Sequence, residues 1–203
     1  MIRKLAVVVA AMSLLTGCAM TSQAGAAATI GDQRLTNEEL TARYEHTMKA
    51  LGDQQSPGTA LDINRRLISS FIFSVTTTYV AKELGVEVTD AEVETQYQAL
   101  VSEYGSVEQL EAAAAAGASA PETIHMILKT SGNFDMIGKK LAPNESTDAQ
   151  GQKAVAALAE AAYKLNLQIA PRYGTWDNNT FSLTDDTTLS MTLAQMFPTE
   201  TAA

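Results

Sequence analysis

The chain has 203 residues, and 46% of them are hydrophobic, which is typical of a soluble globular domain with its own core. Its formal net charge of −9 argues against a nucleic-acid-binding protein, because such proteins need a basic face for the phosphate backbone. The single cysteine excludes an internal disulfide, and two histidines without a His/Cys cluster argue against a zinc site.

The first eighteen residues have the pattern of a bacterial lipoprotein signal. Arg3 and Lys4 precede an apolar run over residues 5–15, as in the n-region and h-region of a secretory signal peptide. The run leads into the phrase LTGC, which resembles the lipobox, where the signal is cut before a cysteine that then receives lipid. We predict that residues 1–17 are the signal and that Cys18 is a palmitate-type lipid anchor on the extracytoplasmic face of the cell membrane. The alternative is an ordinary signal peptide with a chance cysteine.

The next segments predict a tether and then a strand. Residues 18–27 are small and polar and lack periodicity, so we expect a tether there. The segment 28–36 predicts a short strand or hairpin with Gly31 and Asp32 at its turn.

Helix starts are marked by a Ser or Thr followed three residues later by Glu or Gln. This is the capping box, in which each side chain pairs with the backbone amide of the other residue. It occurs at Thr36/Glu39, Thr89/Glu92, Ser106/Gln109, Ser119/Glu122 and Thr147/Gln150. With the apolar periodicity, the boxes predict helices over 37–51, 60–84, 90–104, 107–116, 120–141 (broken around Ser131 and Gly132) and 148–166.

The segment 60–84 is the longest candidate helix, and apolar residues recur along it at three- and four-residue steps. Its uncharged part covers only residues 67–81, whereas a membrane span needs roughly 20 predominantly apolar residues. Three consecutive threonines, residues 76–78, are poor helix formers. We therefore predict a core helix that depends on packing from several sides, rather than a membrane span.

The C-terminal part predicts a closing strand and a tail. Residues 167–170 alternate as a strand does, and Pro171 restricts that strand to an edge or an end. Trp176, the only tryptophan, is expected to cover the core. Residues 178–203 are rich in threonine, and we expect a loosely held tail.

Three phrases resemble the SurA N-terminal chaperone domain, in the form found in bacterial lipoproteins. They are ATIGDQRLTNEEL at the opening strand, AKELGVEVTDAEV at the end of the long helix, and LQIAPRYGTWD at the closing strand. PrsA and trigger-factor domains share the middle phrase. The resemblance implies a mainly α, multi-helix domain over residues 28–177, with a short two-stranded β element that pairs the start and the end of the domain.

Foldase members of this family carry a parvulin prolyl-isomerase module before the final helix. The corresponding segment here is the polar loop 141–151, and about ten residues are too few for a catalytic domain. The resemblance therefore implies a chaperone-type scaffold without isomerase activity and without a cofactor.

The segment 123–137 is the candidate for client binding, because Met and Phe form adaptable apolar surfaces. The candidate residues are Met126, Ile127, Phe134, Met136 and Ile137. The alternative is that these side chains pack on the long helix.

No residue pattern predicts catalysis. Neither histidine has a Ser-His-acid pattern, and there is no Gly-rich phosphate loop. His46 is expected to be a solvated side chain, and His125 to lie at the boundary of the core.

The sequence favours a membrane-tethered, extracytoplasmic chaperone-like protein that binds apolar segments of unfolded or secreted polypeptides. The alternative is a non-catalytic lipoprotein subunit or adaptor of a cell-envelope assembly, which binds one folded partner. An enzyme is the third hypothesis, and it lacks a visible catalytic set.

Overall fold

The structure is a computed structural model that describes residues 25–178 and 180–184. Over these residues it is mainly helical with a small amount of β-structure, which confirms the predicted fold class. The helices are α1 (Asn37–Leu51), α2 (Ala60–Leu84), α3 (Asp90–Tyr104), α4 (Val107–Ala116), α5 (Ile124–Leu141) and α6 (Thr147–Lys164). The strands are β1 (Ala26–Ile30), β2 (Gln33–Thr36), β3 (Gln168–Ile169), β4 (Thr175–Asp177) and β5 (Ser182–Thr184). The predicted signal peptide and the anchor Cys18 lie outside the described residues, as do most of the predicted tether and tail.

A small antiparallel sheet joins the two ends of the described chain. Its strand order is β2-β1-β3, so the opening strand pairs with the closing strand, as expected. The sheet has three strands rather than two, because β1 and β2 also form a hairpin that turns at Gly31, where φ is +60°. Strand β1 begins at Ala26, and this residue and Ala27 are buried, so the last two residues of the expected tether belong to the domain.

Helix α2 lies at the centre of the fold and contributes to both clusters of buried apolar residues. Residues of its first half, such as Leu67 and Ile68, pack beneath the sheet and against α1. Val80 and Ala81 near its end pack against α5 and α6 in the second cluster. The prediction of a core helix packed from several sides is confirmed. Among the described helices, none is long and apolar enough to cross a membrane.

Helix α5 is continuous through Ser131 and Gly132, so the predicted break is wrong. A Cβ added to Gly132 would lie only 2.8 Å from a methyl carbon of Val88, which shows that the glycine allows close packing. The next residue, Asn133, is completely buried, and its Oδ1 accepts a hydrogen bond from the backbone N–H of Val88 at 2.7 Å. Both residues therefore hold the segment after α2 against α5.

Some helix starts follow the predicted caps. The boxes at Thr36/Glu39 and Thr89/Glu92 are complete, and Ser106 accepts a hydrogen bond from the N–H of Gln109. Hydrogen bonds from the backbone N–H and the hydroxyl of Thr89 lower the pKa of Glu92 below its usual value of 4.5. These boxes are local in sequence, which is why the pattern finds them.

Other caps differ from the prediction. The Ser119/Glu122 box is wrong, because a 3₁₀ turn (Pro121–Thr123) precedes α5 and no side chain caps it. Helix α6 is capped by Ser146 instead of Thr147. Helix α2 has a complete box at Thr59/Asp62, which a pattern restricted to Glu or Gln misses.

The hairpin of β4 and β5 extends the domain into the segment expected to be a loose tail. Leu183 is buried in the first apolar cluster, and the ring of Phe181 packs at 5.8 Å from that of Phe73 on α2. Gly174 precedes the hairpin with a φ of +104°, and a Cβ there would collide with the carbonyl oxygen of Thr184. The described residues 178 and 180–184 are therefore part of the fold.

Two glycines in helices α5 and α6 should respond oppositely to alanine. A Cβ on Gly138 would lie 3.0 Å from the backbone oxygen of Gln150, whereas one on Gly151 would meet open space. We expect Gly151→Ala to raise the free energy of unfolding by ~0.5–1 kcal/mol, because alanine favours the helix. Gly138→Ala should lower it by ~1–3 kcal/mol through overpacking. Urea unfolding measures both changes, and a stabilising Gly138→Ala would contradict the close crossing of α5 and α6.

The cap of α3 should make stability depend on pH. Because its folded-state pKa is lowered, the carboxylate of Glu92 stabilises the fold above its unfolded-state pKa and loses this effect as the pH falls through the folded-state pKa. Near neutral pH, Glu92→Gln should therefore unfold at a lower urea concentration than wild type, and the difference should vanish in acid. Glu103→Gln, an exposed change in the last turn of the same helix, is the control and should not unfold at a lower urea concentration than wild type at any pH, because a negative charge there does not stabilise the helix. A Glu92→Gln difference that stays constant down to acid pH would contradict this role of the carboxylate.

Candidate functional site

The five predicted client-binding residues do not form one surface. Ile137 is completely buried between α5 and α6, so its assignment as an accessible contact is wrong. The hydrophobic pattern of α5 does not reveal which apolar side faces α6. Phe134 is half-buried, and its ring centroid lies 5.5 Å from that of Phe73 on α2. The alternative, packing on the long helix, therefore holds for Phe134.

The other three candidates are more accessible. Met126 and Ile127 are half-buried, and Met136 is exposed. Met126 lines a groove along α2, and neither Ile127 nor Met136 is part of that lining. Of the five predicted residues, Met126 is therefore the one that lines this groove.

This surface, which we call the α2 groove, has a volume of about 540 Å³. It lies between α2, the β1–β2 hairpin, the middle of α1, the first turn of α5 and the residue that follows α6. Its apolar lining comprises Ile30, Phe71, Val75, Tyr79, Met126 and Leu165. Its polar lining comprises Asp32, Gln33, Arg43, Ser74, Thr78 and Lys82.

The periodicity of α2 places one strip of the helix in the groove. Phe71, Val75, Thr78 and Lys82 follow one another at three- and four-residue steps, so they share a face of the helix. Phe71 is buried in the first apolar cluster. By contrast, Val75 and Thr78 are half-buried and Lys82 is exposed, so no other helix fully covers the strip from Val75 onward. The helix that builds the core therefore also offers a partly apolar strip to solvent.

The wall of the groove opposite α2 is the hairpin turn. The N–H of Gly31 donates to the carbonyl oxygen of Leu165 at 2.6 Å, which fixes the turn against the end of α6. Asp32 and Gln33 follow directly and are exposed. The hairpin thus supplies a polar edge, and Ile30 beneath it is completely buried.

A second groove of about 650 Å³ brings the two histidines together. His46 Nδ1 on α1 lies 3.0 Å from Glu122 Oε1, and His125 Nε2 on α5 lies 3.2 Å from Glu94 Oε2 on α3. The ring of His125 also stacks on Tyr97 at 4.2 Å. Both histidine side chains are about half exposed, so the expectation of a solvated His46 is confirmed.

Sequence reasoning missed this pairing, because its partners come from separate elements. Hydrogen bonds from the side chains of Gln98 and His125 lower the pKa of Glu94. No set of three or more His, Cys, Asp or Glu side chains within residues 25–178 and 180–184 is arranged to hold a metal ion.

A third groove, of about 830 Å³, lies between the end of α6, β3 and β4. It is lined by Tyr163, whose relative exposure is 87%, and by Trp176. Trp176 is half-buried against the first apolar cluster, as expected for a residue that covers the core. Its ring also meets Phe181 edge-on at 5.3 Å.

Comparisons of the chain with protein-family models, with curated proteins and with solved structures find no match. The chemistry of the lining separates the second groove from the α2 groove, and of the three grooves described above the α2 groove is the one that contains a sequence-predicted residue, Met126. The second groove is lined mainly by charged side chains, histidine and tyrosine, whereas the α2 groove combines six apolar side chains with a polar edge. An apolar surface with a few polar groups is the usual lining of a ligand site, so the α2 groove is the candidate functional site.

Proposed function

We propose that this chain is a membrane-tethered, extracytoplasmic chaperone-like protein that binds apolar segments of unfolded or secreted polypeptides in the α2 groove. The binding needs no cofactor and no chemical step. The observation that carries the proposal is the partly apolar strip of α2 around Val75 and Thr78, which no other helix fully covers. The lipobox-like phrase before Cys18 supports the tether.

The lining suits a ligand that varies in sequence. A volume of about 540 Å³ is within the range of ligand pockets, which span about 300–1,000 Å³. Met126 contributes a flexible, polarisable side chain, which adapts to apolar groups of different shape. Polar side chains at the edge, such as Thr78 and Gln33, are positioned to pair with the backbone of a bound segment.

The resemblance to SurA N-terminal domains supports the same function. Its opening phrase includes β2 and the start of α1, and its closing phrase includes β3 and β4. Only residues 142–146 separate α5 from α6, and five residues do not make an isomerase module. We therefore propose binding without prolyl-isomerase activity.

A second candidate function is a lipoprotein subunit or adaptor that binds one folded partner. The observation that favours it is the exposure of Tyr104 and Val107, which flank the turn between α3 and α4. Crosslinking in cells separates the two functions, because an adaptor gives one partner and a chaperone-like protein gives many unfolded clients.

The substitution Thr78→Arg tests the proposed site. Thr78 is half-buried in the α2 groove, and an arginine there would fill the groove without removing a core side chain. We expect about a tenfold loss of affinity for a fluorescent, apolar, unfolded peptide, which corresponds to ~1.4 kcal/mol. Fluorescence anisotropy measures this loss, and thermal unfolding checks that the variant is folded.

The matched control is Thr95→Arg, which makes the same chemical change on the exposed face of α3. It should bind the peptide as wild type does. If the wild-type protein neither binds such peptides nor suppresses aggregation of an unfolded client at stoichiometric excess, the proposal is wrong. Equal losses in both variants would place binding outside the α2 groove.

A further inference from the structure

We infer that the α2 groove selects apolar segments that carry a carboxylate group. This inference rests on the proposed function and adds the class of ligand. It starts from two cationic side chains, Arg43 on α1 and Lys82 on α2, which both line the groove. Neither forms an ion pair with any of the described residues. Their charges are therefore available to a ligand.

Two acidic residues lie near these cations, and among the described residues neither forms an ion pair with them. Asp32 is the one acid in the lining, and its Oδ1 accepts a hydrogen bond from Gln33 Nε2 at 3.1 Å. Glu39 lies one turn before Arg43 on α1, and its carboxylate accepts hydrogen bonds from the N–H and the hydroxyl of Thr36. These hydrogen bonds, and to a smaller extent the charge of Arg43, lower the pKa of Glu39, so Arg43 interacts with this carboxylate without forming an ion pair with it. The lining thus holds two cations and one acid, in a chain with 23 acidic and 14 basic residues.

The spacing along α2 fits an extended segment. Val75 and Lys82 are two helical turns apart, which is about 10 Å along the helix axis. An extended chain covers this distance in about three residues. A segment that packs an apolar side chain on Val75 can therefore bring a carboxylate three residues away to Lys82. Either an acidic side chain or a C-terminal carboxylate supplies this chemistry.

The charge of a peptide distinguishes binding in the groove from nonspecific adsorption to the rest of the protein surface. The net charge of −9 attracts basic peptides to the surface as a whole. The groove, through Arg43 and Lys82, prefers the opposite charge. A preference for acidic apolar peptides therefore cannot come from the overall charge of the protein.

Four fluorescent peptides with the same apolar sequence test this inference on the full-length protein. Three have amidated ends and carry Glu, Gln or Lys three residues after the apolar anchor. The fourth ends in a free carboxylate at that position. In about 0.05 M salt we expect the Glu peptide to bind about fivefold more tightly than the Gln peptide, and the Lys peptide to bind most weakly. In about 0.5 M salt the Glu and Gln peptides should agree within about twofold.

The fourth peptide identifies the source of the carboxylate. If it binds as tightly as the Glu peptide, a chain end satisfies the site as well as a side chain does. If it binds like the amidated Gln peptide, the preference belongs to acidic side chains. Both results support a carboxylate-selective groove, provided that the Glu peptide keeps its advantage.

Two double variants test which residues cause the preference for the Glu peptide. Arg43→Gln with Lys82→Gln should bring the affinity for the Glu peptide down to that for the Gln peptide. Lys49→Gln with Arg66→Gln removes the same charge from exposed positions on the same two helices, outside the groove, and should keep the preference.

The outcomes separate this inference from the proposed function. Equal affinities for the Glu, Gln and Lys peptides would overturn the inference and leave the proposed function standing. Equal loss of the preference in both double variants would also overturn it, because net charge would then explain the effect. If the protein bound none of the peptides, both the inference and the proposed function would be wrong.

Discussion

The packing of helix α2 on both of its ends is the constraint on which the rest of the structure depends. Thr76 and Thr77 in its middle are completely buried, although β-branched residues are weak helix formers. The hydroxyl of Thr76 donates to the carbonyl oxygen of Ile72 at 2.8 Å, so this polar group is paired within the helix itself. Tertiary packing therefore supplies the stability that the sequence of the helix lacks, and α2 can contribute to two apolar clusters at once.

Contacts between distant parts of the chain hold the walls of the α2 groove in place. Arg65 Nε on α2 donates to the carbonyl oxygen of Tyr173 at 2.8 Å. Arg172 and the hydroxyl of Tyr173 both donate to Asn37 Oδ1 at the start of α1. These contacts fix the turn after β3 to α1 and α2, while β3 pairs with β1. Since β1 continues into the hairpin turn, the hairpin is held beside α2. The groove between them is therefore formed by fixed elements of the fold.

Local patterns predict most of the helices, and the family resemblance predicts the pairing of the first and last strands. The side-chain contacts between distant elements are what the sequence does not predict. Capping boxes and apolar periodicity located the helices because these signals lie within a few residues of each helix end. The role of Gly132 depends on Val88, which lies in another part of the chain, so the local sequence predicts a break at this glycine. The sequence alone predicts an accessible Ile137, because the burial of this residue depends on α6, which packs against it in the fold. Likewise, the contact of Glu122 with His46 joins elements that no local pattern relates. For the candidate site, the sequence pointed to Met126 but not to the strip of α2 beside it.

The most direct test of the α2 groove is to map where a bound peptide touches the protein. An apolar peptide with a photoreactive leucine analogue at its anchor position is bound, irradiated and analysed by mass spectrometry. The account predicts crosslinks to Val75, Tyr79 and Met126, which line the groove together. Crosslinks confined to Tyr163 and Trp176 in the third groove, or to the groove of the two histidines, would contradict it.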